Sequence, residues 1–194
     1  MAIIEKLTVK TYIMKKILTI VLLIAAVQLN AQQKKAAFTF GSGILFLGTG
    51  DVLAISFENE ISYKFNHYVS SSAILSYGRG DNGSYQSTSF IQGNFNVYLS
   101  PFRNNKKNNF KLGTGFSIMN VANTRYYVYD CGNVPHDQLR SKIFEKRNST
   151  GFNIIFEDTY SVNDYFLIGL KLFIQPYTNG DINSGITLKA GIVF

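Results

Sequence analysis

From residue 36 onward the chain alternates apolar and polar positions with a period of two, in stretches broken by turn residues. That is the mark of half-buried β-strands. The clearest stretch is residues 52–65, V-L-A-I-S-F-E-N-E-I-S-Y-K-F. There Leu53, Ile55, Phe57, Ile61, Tyr63 and Phe65 share one face, while Ala54, Ser56, Glu58, Glu60, Ser62 and Lys64 share the other. Residues 165–176 repeat the pattern, with Phe166, Ile168, Leu170, Leu172 and Ile174 against Gly169, Lys171 and Gln175. Residues 184–194 set Ile186, Leu188, Ala190, Ile192 and Phe194 against Gly185, Thr187, Lys189 and Gly191. In residues 150–162 Glu157 falls on the polar face and Asp158 interrupts the apolar one. The pattern predicts eight strands, near 36–47, 52–65, 68–78, 87–99, 110–127, 150–162, 165–176 and 184–194.

The connections alternate in length. Asn66-His67 and Asn163-Asp164 are tight, and P-F-R-N-N-K-K-N-N is somewhat longer; the opposite end carries G-R-G-D-N-G-S-Y-Q, the stretch 128–149 and T-N-G-D-I-N. Short turns at one end, long loops at the other and an even strand count fit an up-and-down antiparallel barrel that crosses a membrane with its strands. A soluble barrel would turn the apolar face inward. Here the large side chains gather on the apolar face, and Ser70, Ser72, Ser76, Gly113, Gly115, Gly185 and Gly191 lie on the other. Small residues suit the inside of a narrow eight-stranded ring and bulky ones the outside, so the apolar face points to lipid. Aromatic residues, among them Tyr63, Phe65, Tyr98 and Tyr160 at the short-turn end and Tyr77 and Tyr177 at the loop end, are expected to form interfacial girdles.

Glu58, Glu60 and Lys64 then point inward, where a lipid-facing charge cost of about 2–4 kcal/mol is avoided but partners are needed. Centring the Asn163-Asp164 turn on residue 164 sets Glu157 opposite Lys171, and centring the last loop on Gly180 sets Lys171 opposite Lys189. An internal row of Glu157, Lys171 and Lys189 is expected, completed by Glu58 and Glu60 from across the lumen, leaving a filled polar bore.

Before the first strand, M-K-K-I-L-T-I-V-L-L-I-A-A-V-Q-L-N-A-Q has Lys15 and Lys16, an apolar run and small Ala31, the layout of a secretory leader. Cleavage is expected near Ala31, with residues 1–13 an over-called start and 32–194 the barrel domain. The whole-chain charge of +7 falls to about +4 once Lys6, Lys10, Lys15, Lys16 and Glu5 are removed, no nucleic-acid footprint. Much of the excess lies in residues 103–111, read as a solvated turn. Cys131, the single cysteine, excludes an internal disulfide framework. No Cys/His metal cluster or phosphate-cradling glycine loop appears, and no cofactor is implied.

The last residues, G-I-T-L-K-A-G-I-V-F, end on Phe194 with apolar residues at every second position back to Ile186. Together with the leader, this resembles the small outer-membrane barrels of the OmpA and OmpX type, and the A-Q after the apolar run resembles those of the Bacteroidota. The resemblance implies a place in the bacterial outer membrane, surrounded by its lipid and lipopolysaccharide. It also implies an assembly signal on Phe194, Ile192, Ala190, Leu188 and Ile186, read by the barrel-assembly machinery. For function, the expectation is a non-enzymatic barrel whose external loops, above all 128–149, meet an unknown external partner or support membrane integrity. Arg79-Gly80-Asp81, placed in another external loop, is a possible contact. A lipid-A-modifying enzyme would need a histidine base beside a serine. His67 sits in a short turn and His136 in V-P-H-D-Q lacks an adjacent serine, so neither supplies it. A narrow pore is the remaining alternative, disfavoured by the inward charges.

Overall fold

The computed structural model describes residues 35–48, 52–82, 86–102, 107–128 and 140–194, apart from the side chains of 126–128 and 140–142. The leader, Cys131 and His136 lie outside these residues. Eight strands follow in order: β1 (Ala36–Leu47), β2 (Val52–Lys64), β3 (Val69–Asn82), β4 (Gln86–Leu99), β5 (Asn108–Val128), β6 (Arg140–Ser161), β7 (Phe166–Pro176) and β8 (Ile182–Val193). Each pairs antiparallel with its neighbours in sequence, and β1 pairs with β8 to close the ring. Closure gives every strand two partners, as backbone groups in hydrocarbon require.

Following the ladder once round from Ala36 through Tyr63, Ser71, Val97, Thr114, Ile154, Ile174 and Ser184 returns to β1 at Phe46, ten residues beyond the start. At about 3.3 Å per residue and 4.8 Å between strands, that stagger tilts the strands by about 40° and sets a ring radius of about 8 Å. The bore is one that side chains can fill. Bulky residues therefore face out: Ile55, Phe95 and Leu188 are 58%, 58% and 68% exposed. Asp158 also faces outward, a few residues from the short-turn end, where charge is cheaper than at mid-membrane.

The two tightest turns share one chemistry. Asn66 Oδ1 accepts from the backbone N–H of Tyr68 and Val69, each at 2.8 Å, and Asn163 Oδ1 accepts from Tyr165 and Phe166 in the same way. Asparagine suits both places because its side chain mimics a backbone turn.

The other end departs from the sequence-based expectation. Within the stretch 128–149, read as a loop, residues 140–149 are strand: β6 begins at Arg140 and pairs with β5 back to Val128, and residues 129–139 lie outside the described ones. Residues 140–149 pair with β5 alone, because the β6–β7 ladder runs only from Ile154 to Ser161, with one further bridge from Gly151 to Tyr177. β6 thus rises past the end of β7, on the order of 30 Å along the strand, as the free-edged side of a ribbon with β5, which β4 accompanies as far as Arg125. Its polar sequence hid it: Ile143 to Asn148 are all exposed, so no buried face imposes alternation. Arg79-Gly80-Asp81 likewise belongs to β3 and not to a loop, paired with Ser89, Thr88 and Ser87 of β4. The ladder outruns the first polar residues, and Gly80 packs so closely on β2 that a Cβ would lie 2.6 Å from Leu53 O.

Leu75 lies midway along β3 and is 52% exposed on the outward face. Leu75→Arg should destabilise the barrel by about 2–4 kcal/mol, and Phe65→Arg at the short-turn end by about 0–1 kcal/mol. Guanidinium unfolding in phospholipid vesicles measures both, and equal losses would contradict the outward orientation.

Candidate functional site: the filled lumen

The inward side chains form three layers. Nearest the short-turn end is a layer of charge. Lys111 Nζ donates to Glu157 Oε1 at 2.8 Å, and Lys189 Nζ bridges Glu60 Oε2 at 2.8 Å and Glu157 Oε2 at 2.6 Å. Lys171 pairs with Glu58. Three carboxylates thus meet three ammonium groups, and the layer is neutral. All six are largely buried; the Glu157 side chain is 0% exposed and that of Lys111, the most open, 13%.

The ladder explains the pair with Lys111, which sits opposite Glu157 on β5; Lys171 also sits opposite Glu157, on β7, but its ammonium goes to Glu58. Lys171 does not face Lys189, as centring the last loop on Gly180 would have it: Lys171 faces Thr187, and Lys189 faces Gly169. The turn is shifted because Gly180 takes a φ of 86° and the Tyr177 N–H closes onto Asp181 O at 2.9 Å. The shift staggers the two lysines, Lys171 turning to Glu58 and Lys189 to both Glu60 and Glu157. Glu58 and Glu60 do reach across the bore: both lie on β2, Lys171 lies three strands away on β7, and Lys189 of β8 ties Glu60 to Glu157 of β6, four strands round the ring. Between β2 and β8 runs β1, whose Gly41 is the ladder partner of both Glu58 and Lys189. A Cβ there would lie 2.9 Å from Glu58 Cγ, so glycine keeps the path between the two strands open.

Lys111 was missed by reading it with the basic turn 103–111. The signal was its shared parity with Gly113, Gly115 and Ser117 on the inner face. Tyr98 and Tyr177, expected in the outer girdles, also point inward. The Tyr98 ring covers Gly113, with Lys111 Nζ 5.6 Å from its centroid, and closes the lumen below the charges.

Above the charges, Gln92 of β4 donates through Nε2 to Asn94 Oδ1 at 2.7 Å and to Gln175 Oε1 of β7 at 2.9 Å, tying opposite walls together. Asn153 Nδ2 donates to Asn96 Oδ1 at 2.6 Å. A gap of about 20 Å³ lies between this belt and the charges, little more than one water needs.

An apolar plug follows: Leu45, Leu47, Val52, Ala54, Phe90, Met119, Val121 and Tyr177, with Phe173 packed against it. The expectation of a polar lumen throughout is corrected here. Its signal was the run I-L-F-L at the end of β1, where both faces of the strand are apolar. Beyond the plug, at the ribbon end, lies a cup of about 90 Å³.

The other predicted residues stand apart from the lumen layers. Arg79 and Asp81 are exposed at the rim, Arg79 Nη2 donating to Ser87 Oγ at 3.4 Å. Leu188 and Ile192 face outward on β8, and His67 is exposed in the β2–β3 turn. Among the described residues no group of three or more His, Cys, Asp or Glu side chains could hold a metal ion.

The fold is that of the small eight-stranded outer-membrane barrels. Ail, the attachment invasion locus protein of Yersinia pestis, matches with a TM-score of 0.57 at 12% identity, over 82% of this chain and 98% of that one. Neisserial surface protein A matches with a TM-score of 0.56 at 12% identity, over 82% and 97%. No family model matches the chain, and no curated protein matches it in sequence.

Removing one member of a buried ion pair costs about 3–5 kcal/mol, because the other charge is stranded. Lys189→Met should therefore be destabilising on that scale, and more so than Lys111→Met, since Lys189 serves two glutamates and Lys111 one. Chemical unfolding in detergent micelles reads the difference; equal losses would refute the bridging role.

Proposed function

We propose that the chain is an integral outer-membrane barrel that conducts little, carries out no chemistry, and presents the β5–β6 ribbon to the outside as an interaction surface. The observation that carries this reading is the filled bore. A neutral charge layer, a polar belt and an apolar plug succeed one another along it, and water-filled passage needs room that an eight-stranded ring does not leave. Function then moves to the rim, where the ribbon is the largest departure from a plain barrel.

The reading extends to the chain's surroundings. A leader ending at Ala31 brings the chain to the barrel-assembly machinery, which takes the last strand through Phe194, Ile192 and Leu188. Lipid and lipopolysaccharide then surround the wall, and an external partner meets the ribbon. Two proteins of similar fold are named for attachment and for the cell surface, which supports an outward-facing role.

Purified protein in planar lipid bilayers should give no steady conductance steps; regular ion-sized steps would refute the filled lumen. Orientation is read separately on intact cells in a Cys131→Ser background. Lys146→Cys on the ribbon should react with a membrane-impermeant maleimide and His67→Cys should not. The reverse pattern would overturn the assignment of the ribbon to the outside.

A further inference from the structure

The cup at the ribbon end contains polar groups that the fold itself leaves unmet. Two successive inward rungs of the β4–β5 ladder line it, Thr88 opposite Asn123 and Gln86 opposite Arg125. Thr88 and Asn123 are 2% and 3% exposed. Thr88 Oγ1, Asn123 Oδ1 and Arg125 Nε are all buried without a hydrogen-bond partner. Three such atoms in one cavity are unusual, because buried polar groups are nearly always paired.

The charges in the cup are unequal. Arg147 lies 3.6 Å from Asp181, and Asp181 also accepts from Asn179 Nδ2 at 2.7 Å, so that carboxylate is committed. Arg125 has no carboxylate partner among the described residues. Among the described residues, two guanidinium groups therefore face one carboxylate above an apolar floor, a setting that favours an added anion. A guanidinium N–H and a hydroxyl both donate to oxyanions, and Arg suits phosphate and sulfate geometry. Asn123 Oδ1 asks for the opposite, a hydrogen to accept. At about 90 Å³ the cup has several times the room one water needs.

We propose that the cup binds a phosphate or sulfate ester carried beside a hydroxyl, as on a substituted sugar. The oxyanion sits on Arg125 Nε and the Thr88 hydroxyl, and the neighbouring hydroxyl donates to Asn123 Oδ1. The remainder of the molecule projects past Arg147 at the foot of the ribbon. The same group can come from the phosphorylated sugars of the surrounding lipopolysaccharide or from an ester supplied in solution. The inference goes beyond the surface role of the ribbon and does not depend on it.

Titration calorimetry on the full barrel in zwitterionic micelles tests it, with glucose 6-phosphate, glucose 6-sulfate, deacylated lipopolysaccharide core and the same core after phosphatase treatment as probes. Saturable binding of at least one ester is expected, weakened at least tenfold by Arg125→Gln and several-fold by Thr88→Val, and unchanged by Arg79→Gln outside the cup. Heat-modifiable migration on gels verifies that each variant is folded. Binding by the phosphorylated core but not the small esters assigns the site to the membrane's own lipid; binding by the small esters assigns it to a soluble ligand. Failure of every ester to bind, equal binding of gluconate, or full affinity in folded Arg125→Gln would overturn the proposal.

Discussion

A sheet placed in hydrocarbon cannot keep an edge, and nearly everything in this barrel follows from how the edge is removed. Eight strands closing with a ten-residue stagger make a ring too narrow for water to hydrate its interior freely. Inward charges must then find partners among the few side chains within reach. Glu58 has its place only because Gly41 of β1 leaves room for its side chain and for Thr187, and Tyr98 fits only because Gly113 lies beneath its ring. Glycines are thus spent at the points of closest approach. Bulk displaced from the inside is carried on the outside, where lipid accepts it.

The layering along the bore has its own logic. A buried charge is tolerated where geometry supplies a full set of opposite charges, and Glu157, flanked by lysines on both neighbouring strands, gives that layer its centre. Further along, the inner positions of β1, β2, β4 and β5 turn apolar, and burial replaces ion pairing as the source of cohesion. The polar belt between them, from Gln92 to Gln175, joins walls that share no ladder. Each layer blocks the bore by a different interaction, so none depends on the chemistry of the next.

The barrel was legible because lipid and a narrow bore impose opposite demands on alternate residues, and residues 52–64 or 166–176 display both demands at once. The register that sets Glu157 opposite Lys171 followed from the tight Asn163 turn, whose short length fixes it, although the Lys171 ammonium pairs with Glu58 instead. Where a turn is looser the same reasoning slips: around Gly180 a shift of one residue in the turn centre moved Lys189 by two places. The β6 half of the ribbon escaped notice because residues 143–148 are exposed throughout and show no alternation, whereas β5, with Met119, Val121 and Asn123 buried, was legible as a strand over 110–127. Lys111 and Arg125 escaped because a basic side chain near a strand end looks solvated, and only its parity with inward neighbours says otherwise. The apolar plug escaped because parity predicts which way a residue points and not what chemistry the bore requires at that height.

Unequal strand lengths and a filled bore together decide where the barrel can meet other molecules. β7 and β8 stop near the level of the plug, while β5 and β6 continue past it, so the ring ends in a rim with one raised side. The cup opens at the foot of that side, since Arg125 belongs to β5 and Arg147 to β6. A molecule held against the ribbon would therefore already stand over the unmatched guanidinium, hydroxyl and amide groups below. Closing the bore beneath them leaves those groups lining the cup, with an apolar floor that excludes water from one side and strengthens whatever electrostatic contact forms on the other.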